Sequence, residues 1–461
     1  MSAHPPLLEP PAALASLQAD GSRRTIQPAD VSGRYTSARR LTFLVLGVVL
    51  VGLPWVRVGG NPAVLLDIAQ RTFFLGGRAF RAQDTFLLFF VLSGVGFALV
   101  ATTTVFGRVW CGFACPQTVF TDGVFRRLER LVEGSAEERR HLAAGPWTAR
   151  KIAKKAVLHA AYLLAATVIA HTVLGYFFPI RELLSVIAAG PRAHPDAFAW
   201  TTSVTALCYF DFGWFREQFC IVMCPYGRLQ TTMTDADTLV VGYDAKRGEP
   251  RGKLHVIGNG DCVDCKRCVA VCPTGIDIRQ GIAQLECIGC AECVDACDAI
   301  MVKVGKPVGL IRRDSERGFA GGKTRLVRPR TIVYAVAAVA GLLVASIAFG
   351  RTAAGFEAAA VRPAGAPFWV DGADLRNVVR VHLLSKSSAP LRLHISAVNP
   401  SVTVIVSQPD VELSPMGAAE VPVLLSTPAA EMHGDREVTL KIASTSSSEE
   451  RTLVVHFVGG R

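Results

Sequence analysis

The chain has 461 residues, too many for one ordinary domain. Half of them are hydrophobic, yet the formal net charge is +11, which points to apolar membrane segments with basic loops rather than one soluble core. All 13 cysteines lie between Cys111 and Cys297, and this excludes the dispersed framework of a secreted disulfide protein.

Residues 1–38 contain Pro, Ala and Ser without periodicity and read as a disordered tail. No apolar core falls within the first 30 residues, so this is not a signal peptide. A membrane domain is expected over 39–230, with helices at about 41–56, 85–107, 156–180 and 197–215. The first run, about 16 residues, is slightly short of the ~20 needed to span a bilayer. The second is uncharged, the third carries only His159 and His171, and the fourth is interrupted by Asp211. A fifth clean run occupies 331–350.

Loop charge gives the orientation. Ten Lys and Arg residues lie within 108–155, whereas the next loop holds only Arg181 and Arg192. Arg57, Arg71, Arg78 and Arg81 in the first loop weaken the bias without reversing it. The N-terminus is therefore expected in the cytosol, and five crossings put the C-terminus outside. The basic balance has no nucleic-acid recognition motif beside it.

Two motifs of the form C-x3-C-P follow the second and fourth helices: Cys111 and Cys115 before Pro116, and Cys220 and Cys224 before Pro225. If each helix continues, the paired cysteines share one face at i and i+4, and the proline ends the helix nearby. Four thiolates on one membrane face would suit Cu(I), zinc or an iron–sulfur centre. Redox exchange and simple packing are the alternatives. His159 and His171 read as helix-packing residues, Cys208 as packing, and Asp211 as either functional or interfacial.

A linker at 231–255 leads to the cysteine-rich stretch 256–305. Cys262, Cys265, Cys268 and Cys272 repeat the spacing of Cys287, Cys290, Cys293 and Cys297. The run C-x2-C-x2-C-x3-C is the bacterial ferredoxin signature, in which the fourth cysteine ligates the other cube. Cys262, Cys265, Cys268 and Cys297 would hold one [4Fe–4S] cluster, and Cys287, Cys290, Cys293 and Cys272 the other. Zinc sites usually take separated pairs and do not predict a third cysteine at the same spacing. A linker (306–330), the fifth helix and a second linker (351–366) precede 367–461. There about seven short alternating segments, without cysteine, indicate an immunoglobulin-type β-sandwich.

The expected fold is thus a polytopic helical membrane domain with an inserted two-cluster ferredoxin domain and a C-terminal β-sandwich. With these motifs in order, the chain resembles the CcoG/FixG (RdxA) family of cytochrome oxidase accessory proteins. The resemblance rests on QDTFLLF, GRVWCGFACPQTVF, REQFCIVMCPYGRLQ, VGYDAKRGEPRGK, DCVDCKRCVAVCPTGIDIR, LECIGCAECVDACD and RPRTIVY, and runs from about Leu41 to the end. It implies a bacterial inner-membrane iron–sulfur protein that reduces Cu(II) to Cu(I) in biogenesis of the cbb-type oxidase, with copper or a redox site at the paired C-x3-C-P cysteines. Oxidase subunits or copper-delivery proteins are the implied partners. A quinol-linked electron carrier and a non-redox assembly scaffold are the rival readings.

Overall fold

The computed structural model describes residues 25–459 apart from short breaks at 69–71, 82–83, 255, 283, 352–354, 388, 399–401, 432–433 and 446–448. The chain divides into two compact units. One comprises the chain to Leu53 and Phe90–Leu343, the other Pro54–Phe89 and Val344–Arg461.

Among the described residues four helices are long and apolar enough to cross a membrane: Arg34–Trp55, Phe86–Phe106, Ala149–Leu174 and Pro329–Gly350. Their apolar side chains, such as Leu44, Phe89, Leu164 and Val339, are exposed, as lipid-facing residues must be. The run expected at 197–215 forms the helix Pro195–Phe210, continued by a π-helical turn over Asp211–Phe215. Small residues set one helix crossing. A Cβ placed on Gly341 would meet the Gly94 Cα at 3.0 Å, so the second and last spans pass backbone against backbone.

Residues 25–38, expected to be without structure, are instead packed, while residues 1–24 lie outside the described residues. The helix Arg34–Gly52 begins seven residues before the apolar run. The Thr36 N–H and hydroxyl both donate to Asp295 Oδ2, at 2.8 and 2.9 Å, and the Ala29 N–H donates to the Ala270 carbonyl. A polar segment with no periodicity is held by a few specific captures, which composition does not reveal.

Beyond Gly107 the chain turns through a series of short helices: Val109–Phe113, Pro116–Phe120, Arg126–Glu133 and Ala136–Ala144. The last carries a capping box between Ser135 and Glu138. They rest on Ala149–Leu174 around fully buried Phe125 and around Tyr162 and Phe212. The cysteine-rich module has one antiparallel strand pair, Val240–Tyr243 with Ile311–Asp314, and the helices Arg267–Ala270 and Glu292–Lys303. Val241, Tyr243, Ile276, Ile278, Val294, Met301 and Ile311 form its core.

In the second unit two antiparallel sheets pack face to face. One orders Thr403–Val406, Ala418–Pro428, Asp374–Ser385 and Phe356–Val361, with Trp369–Asp371 beside the third. The other orders Asp410–Leu413, Leu391–Ala397, Arg436–Ser444 and Glu450–Phe457. Strict alternation sends Val379, Val381 and Leu383 inward against Leu393, Leu440 and Phe457. Among the described residues eight strands lie within 367–461 against about seven expected segments, and a ninth, Phe356–Val361, occupies part of the expected linker 351–366, where the small-residue run FEAAAV shows no clear apolar–polar alternation. Lys386, 3% exposed, is held by Asp84 at 2.9 Å and by Glu357.

Candidate metal centre

Each cysteine run turns on left-handed backbone at the same two places. Asp264 (φ 49°) and Gly289 (φ 68°) precede the second cysteine of their runs, and Lys266 (φ 54°) and Ala291 (φ 63°) follow it. Lys266 and Ala291 are also the residues from which the helices Arg267–Ala270 and Glu292–Lys303 start. Non-glycine residues rarely adopt this conformation. Its repetition folds both spacers so that successive thiols point to one centre.

The thiols assemble crosswise. Cys297 lies in electrostatic range of Cys268 and Cys262, and Cys268 of Cys265 and Cys262. Cys272 accompanies Cys287, Cys290 and Cys293, and Cys293 in turn senses Cys268. The structure therefore holds two neighbouring groups of four sulfurs. Burial pushes the Cys268 and Cys297 thiols up to about 12, so bare thiols there stay protonated and thiolates need a compensating positive centre. All 13 cysteines are free of disulfides. Among the described residues no three His, Cys, Asp or Glu side chains are placed to hold a single metal ion. An all-sulfur donor set of four thiols and apolar walls of Val241, Ile276, Ile278 and Ile288 fit a [4Fe–4S] cube in each group.

The C-x3-C-P cysteines also come together. Cys220 lies in electrostatic range of Cys115, Cys111 and Cys224, and Cys111 of Cys115 and Cys224. The helix does not continue through the motif. Cys115 and Cys224 are extended residues at which new helices begin, with Pro116 and Pro225 in their first turns. The paired cysteines thus lie on either side of a helix break. Burial pushes the Cys111 thiol up to about 12; it donates to Gln230 Oε1 at 3.6 Å. Gln117 Nε2 donates to Asp211 Oδ1 at 3.1 Å and ties the first motif to the π-helical turn that precedes the second.

The four-thiol group abuts the cluster-type runs. A Cβ on Gly112 would meet the Cys290 N and Cα at 2.9 Å. Cys220 shares a cavity with Pro273, Thr274 and Ile288. The Arg108 guanidinium donates to the carbonyls of Gly227 and Leu285, joining the second motif to the second run. Arg39 donates to the Gly112 carbonyl at 2.8 Å, to Asp122 at 2.7 Å and to Glu292. None of Arg39, Arg108, Asp122, Gln230 or Glu292 was singled out by sequence reasoning. Their proximity to cysteine motifs was the only available signal. His159 instead pairs with Tyr209 at 2.7 Å, His171 with its own helix at the Thr167 carbonyl, and Cys208 sits at the edge of the Phe125 cluster.

Comparison with known families assigns the class. Residues 215–316 match a 4Fe–4S dicluster domain and residues 87–133 a 4Fe–4S binding domain, so both C-x3-C-P motifs fall inside iron–sulfur families. Residues 348–460 match the immunoglobulin-like fold at the C-terminus of FixG. This is a membrane-type iron–sulfur protein with an immunoglobulin-like C-terminal domain. Protein RdxA of Cereibacter sphaeroides is 37% identical over 393 residues, 81% of this chain and 82% of its own. Protein RdxB of the same organism is 35% identical over 457 residues, 93% of this chain and 92% of its own. Nitrogen fixation protein FixG of Rhizobium meliloti is 41% identical over 300 residues, 63% of this chain and 57% of its own. The chain belongs to the CcoG/FixG (RdxA) family.

Proposed function

We propose that this chain is a membrane electron-transfer protein that reduces Cu(II) to Cu(I) during biogenesis of a cbb-type oxidase. The packing of Gly112 on Cys290 carries this reading, because it sets the four C-x3-C-P thiols directly against a cluster-type run. Cys262, Cys265, Cys268 and Cys297 would hold one [4Fe–4S] cluster and Cys287, Cys290, Cys293 and Cys272 the other, and the bound clusters supply one-electron chemistry. Cys111, Cys115, Cys220 and Cys224 would receive copper as substrate, where soft thiolates favour Cu(I). Arg108 and Arg39 fix these cysteine-bearing loops against one another.

The membrane is the bacterial inner membrane, with the cysteine-rich stretch cytoplasmic by the charge of its flanking loops. With 197–215 counted as a crossing, the immunoglobulin-like domain is periplasmic and free to meet oxidase subunits or copper-delivery proteins. The ferredoxin-type module is inserted at about 256–305, between linkers 231–255 and 306–330. To test the copper reading, Cu(II) and a Cu(I)-specific chelator are added to reduced protein. Cu(I) should form with the parent and drop sharply in Cys111→Ser/Cys220→Ser; equal formation by the variant sinks the reading.

A second reading, a quinol-linked carrier, draws on a cavity where Phe106 at the end of a membrane helix meets Arg108, Gln230, Gln284, Arg313 and Cys287. Quinol-dependent bleaching of the iron–sulfur absorbance without copper would favour it.

A further inference from the structure

Six arginines converge on one pocket that the electron-transfer reading leaves unused. Arg39, Arg40, Arg126, Arg127, Arg130 and Arg139 line it together with Asp30, Asp122 and Glu292. Even with Glu129 and Glu217 added, which pair with Arg139 and Arg126, cations outnumber carboxylates by six to five. The deficit is local. Arg40 and Arg127 are exposed and have no carboxylate partner among the described residues.

The wall is rigid and under-satisfied. Arg126 is 9% exposed and Arg139 4%, each tied by ion pairs, at 2.5 Å to Asp122 and at 2.7 Å to Glu129 respectively. Both nevertheless keep a buried Nε–H without an acceptor. Buried donors are normally satisfied. The pocket offers about 100 Å³ on the scale on which one water needs about 10–15 Å³, so it has room for a polyatomic anion.

We propose that this pocket binds a phosphate group. Guanidinium forks match phosphate geometry bidentately. Thr36, Arg39, Arg40 and Phe43 belong to the first membrane-spanning helix, so the pocket lies at the helix end that meets the bilayer surface. Basic pockets at that level take anionic lipid headgroups; a free phosphate would be read by the same donors. The bound charge lies beside Pro273 and Glu292, the chain neighbours of Cys272 and Cys293, where net charge tunes cluster potential.

The test uses the full iron-loaded chain in a phosphate-free maltoside detergent. Inorganic phosphate is titrated calorimetrically, and retention of added phosphatidylglycerol is read by native mass spectrometry. At least one should bind saturably. Arg40→Gln/Arg127→Gln, with iron content unchanged, should weaken it tenfold or more, since a charge-assisted hydrogen bond contributes about 1.5–3 kcal/mol. The Lys double variant should retain part of the affinity. If phosphatidylglycerol abolishes the phosphate titration, a lipid headgroup is the occupant; if phosphate binds regardless, the occupant is soluble. Absence of binding by both probes, or a Gln variant that binds as tightly as the parent, overturns the proposal.

Discussion

Arg39 joins three segments that are far apart in sequence. It reaches Gly112 in the first C-x3-C-P motif, Asp122 after it, and Glu292 in the second cysteine run, 253 residues away. Breaking a buried ion pair by removing one partner costs about 3–5 kcal/mol, because the remaining charge is left uncompensated. Asp122 also holds Arg126, so Arg39→Leu belongs at the lower end, about 3 kcal/mol. Heating the variant in detergent should release iron at a clearly lower temperature than the parent, and Arg39→Lys should recover part of the loss. The crossed grouping of thiols gives a second residue-scale test. Cys297→Ser and Cys272→Ser should each remove one cube, leaving about four irons per chain instead of about eight, and the EPR signals that survive in the two variants should differ. Two variants with the same surviving signal would show that the ligands do not cross. The cysteines were legible because spacing is local. Arg39 was not, since nothing in a sequence says which carboxylate a cation beside an apolar run will meet.

Close helix contact at the element scale depends on residues that lack a side chain. Gly94 and Gly96 stand two apart on one helix but face different surroundings. A Cβ on Gly94 would lie 2.9 Å from the Leu342 backbone N, whereas one on Gly96 meets nothing within 4 Å. Gly94→Leu forces the second and last spans apart and should cost about 1–3 kcal/mol, as overpacking does; Gly96→Leu should be near neutral. A detergent melt of the pair checks this, and equal losses would show that helix propensity rather than contact decides. Long apolar runs made the helices readable, but not their ends. Helical spacing suggested that Cys111 and Cys115 share a continuous face, and the chain breaks there because Pro116 starts a new helix from an extended Cys115. The first helix likewise reaches back to Arg34 because Asp295 captures Thr36, a contact with no periodic signature.

All 13 cysteines lie between Cys111 and Cys297 and therefore within the first unit, while the second carries none. This division was visible in the sequence, where cysteine stops and alternating β-strands begin. The pairing of Lys386 with Asp84 was not visible, because the two are 302 residues apart. The sandwich buries Phe356, Val381, Leu393, Val423, Leu440 and Phe457 completely from both of its sheets, so its core needs nothing from the helices. Its folding and the assembly of the cysteine sites should then be separable. A chain ending at Arg351 should keep the iron content and EPR signals of the full protein. Lys386 is nearly inaccessible, so replacing it by Met removes its charge-assisted contacts with Asp84 and Glu357 and should destabilise the second unit by about 1.5–3 kcal/mol. The iron should stay in place. Loss of iron from either variant would show that the β-domain supports the metal-binding half, and would shift the proposed role of that domain from docking partners to holding the cysteine module together.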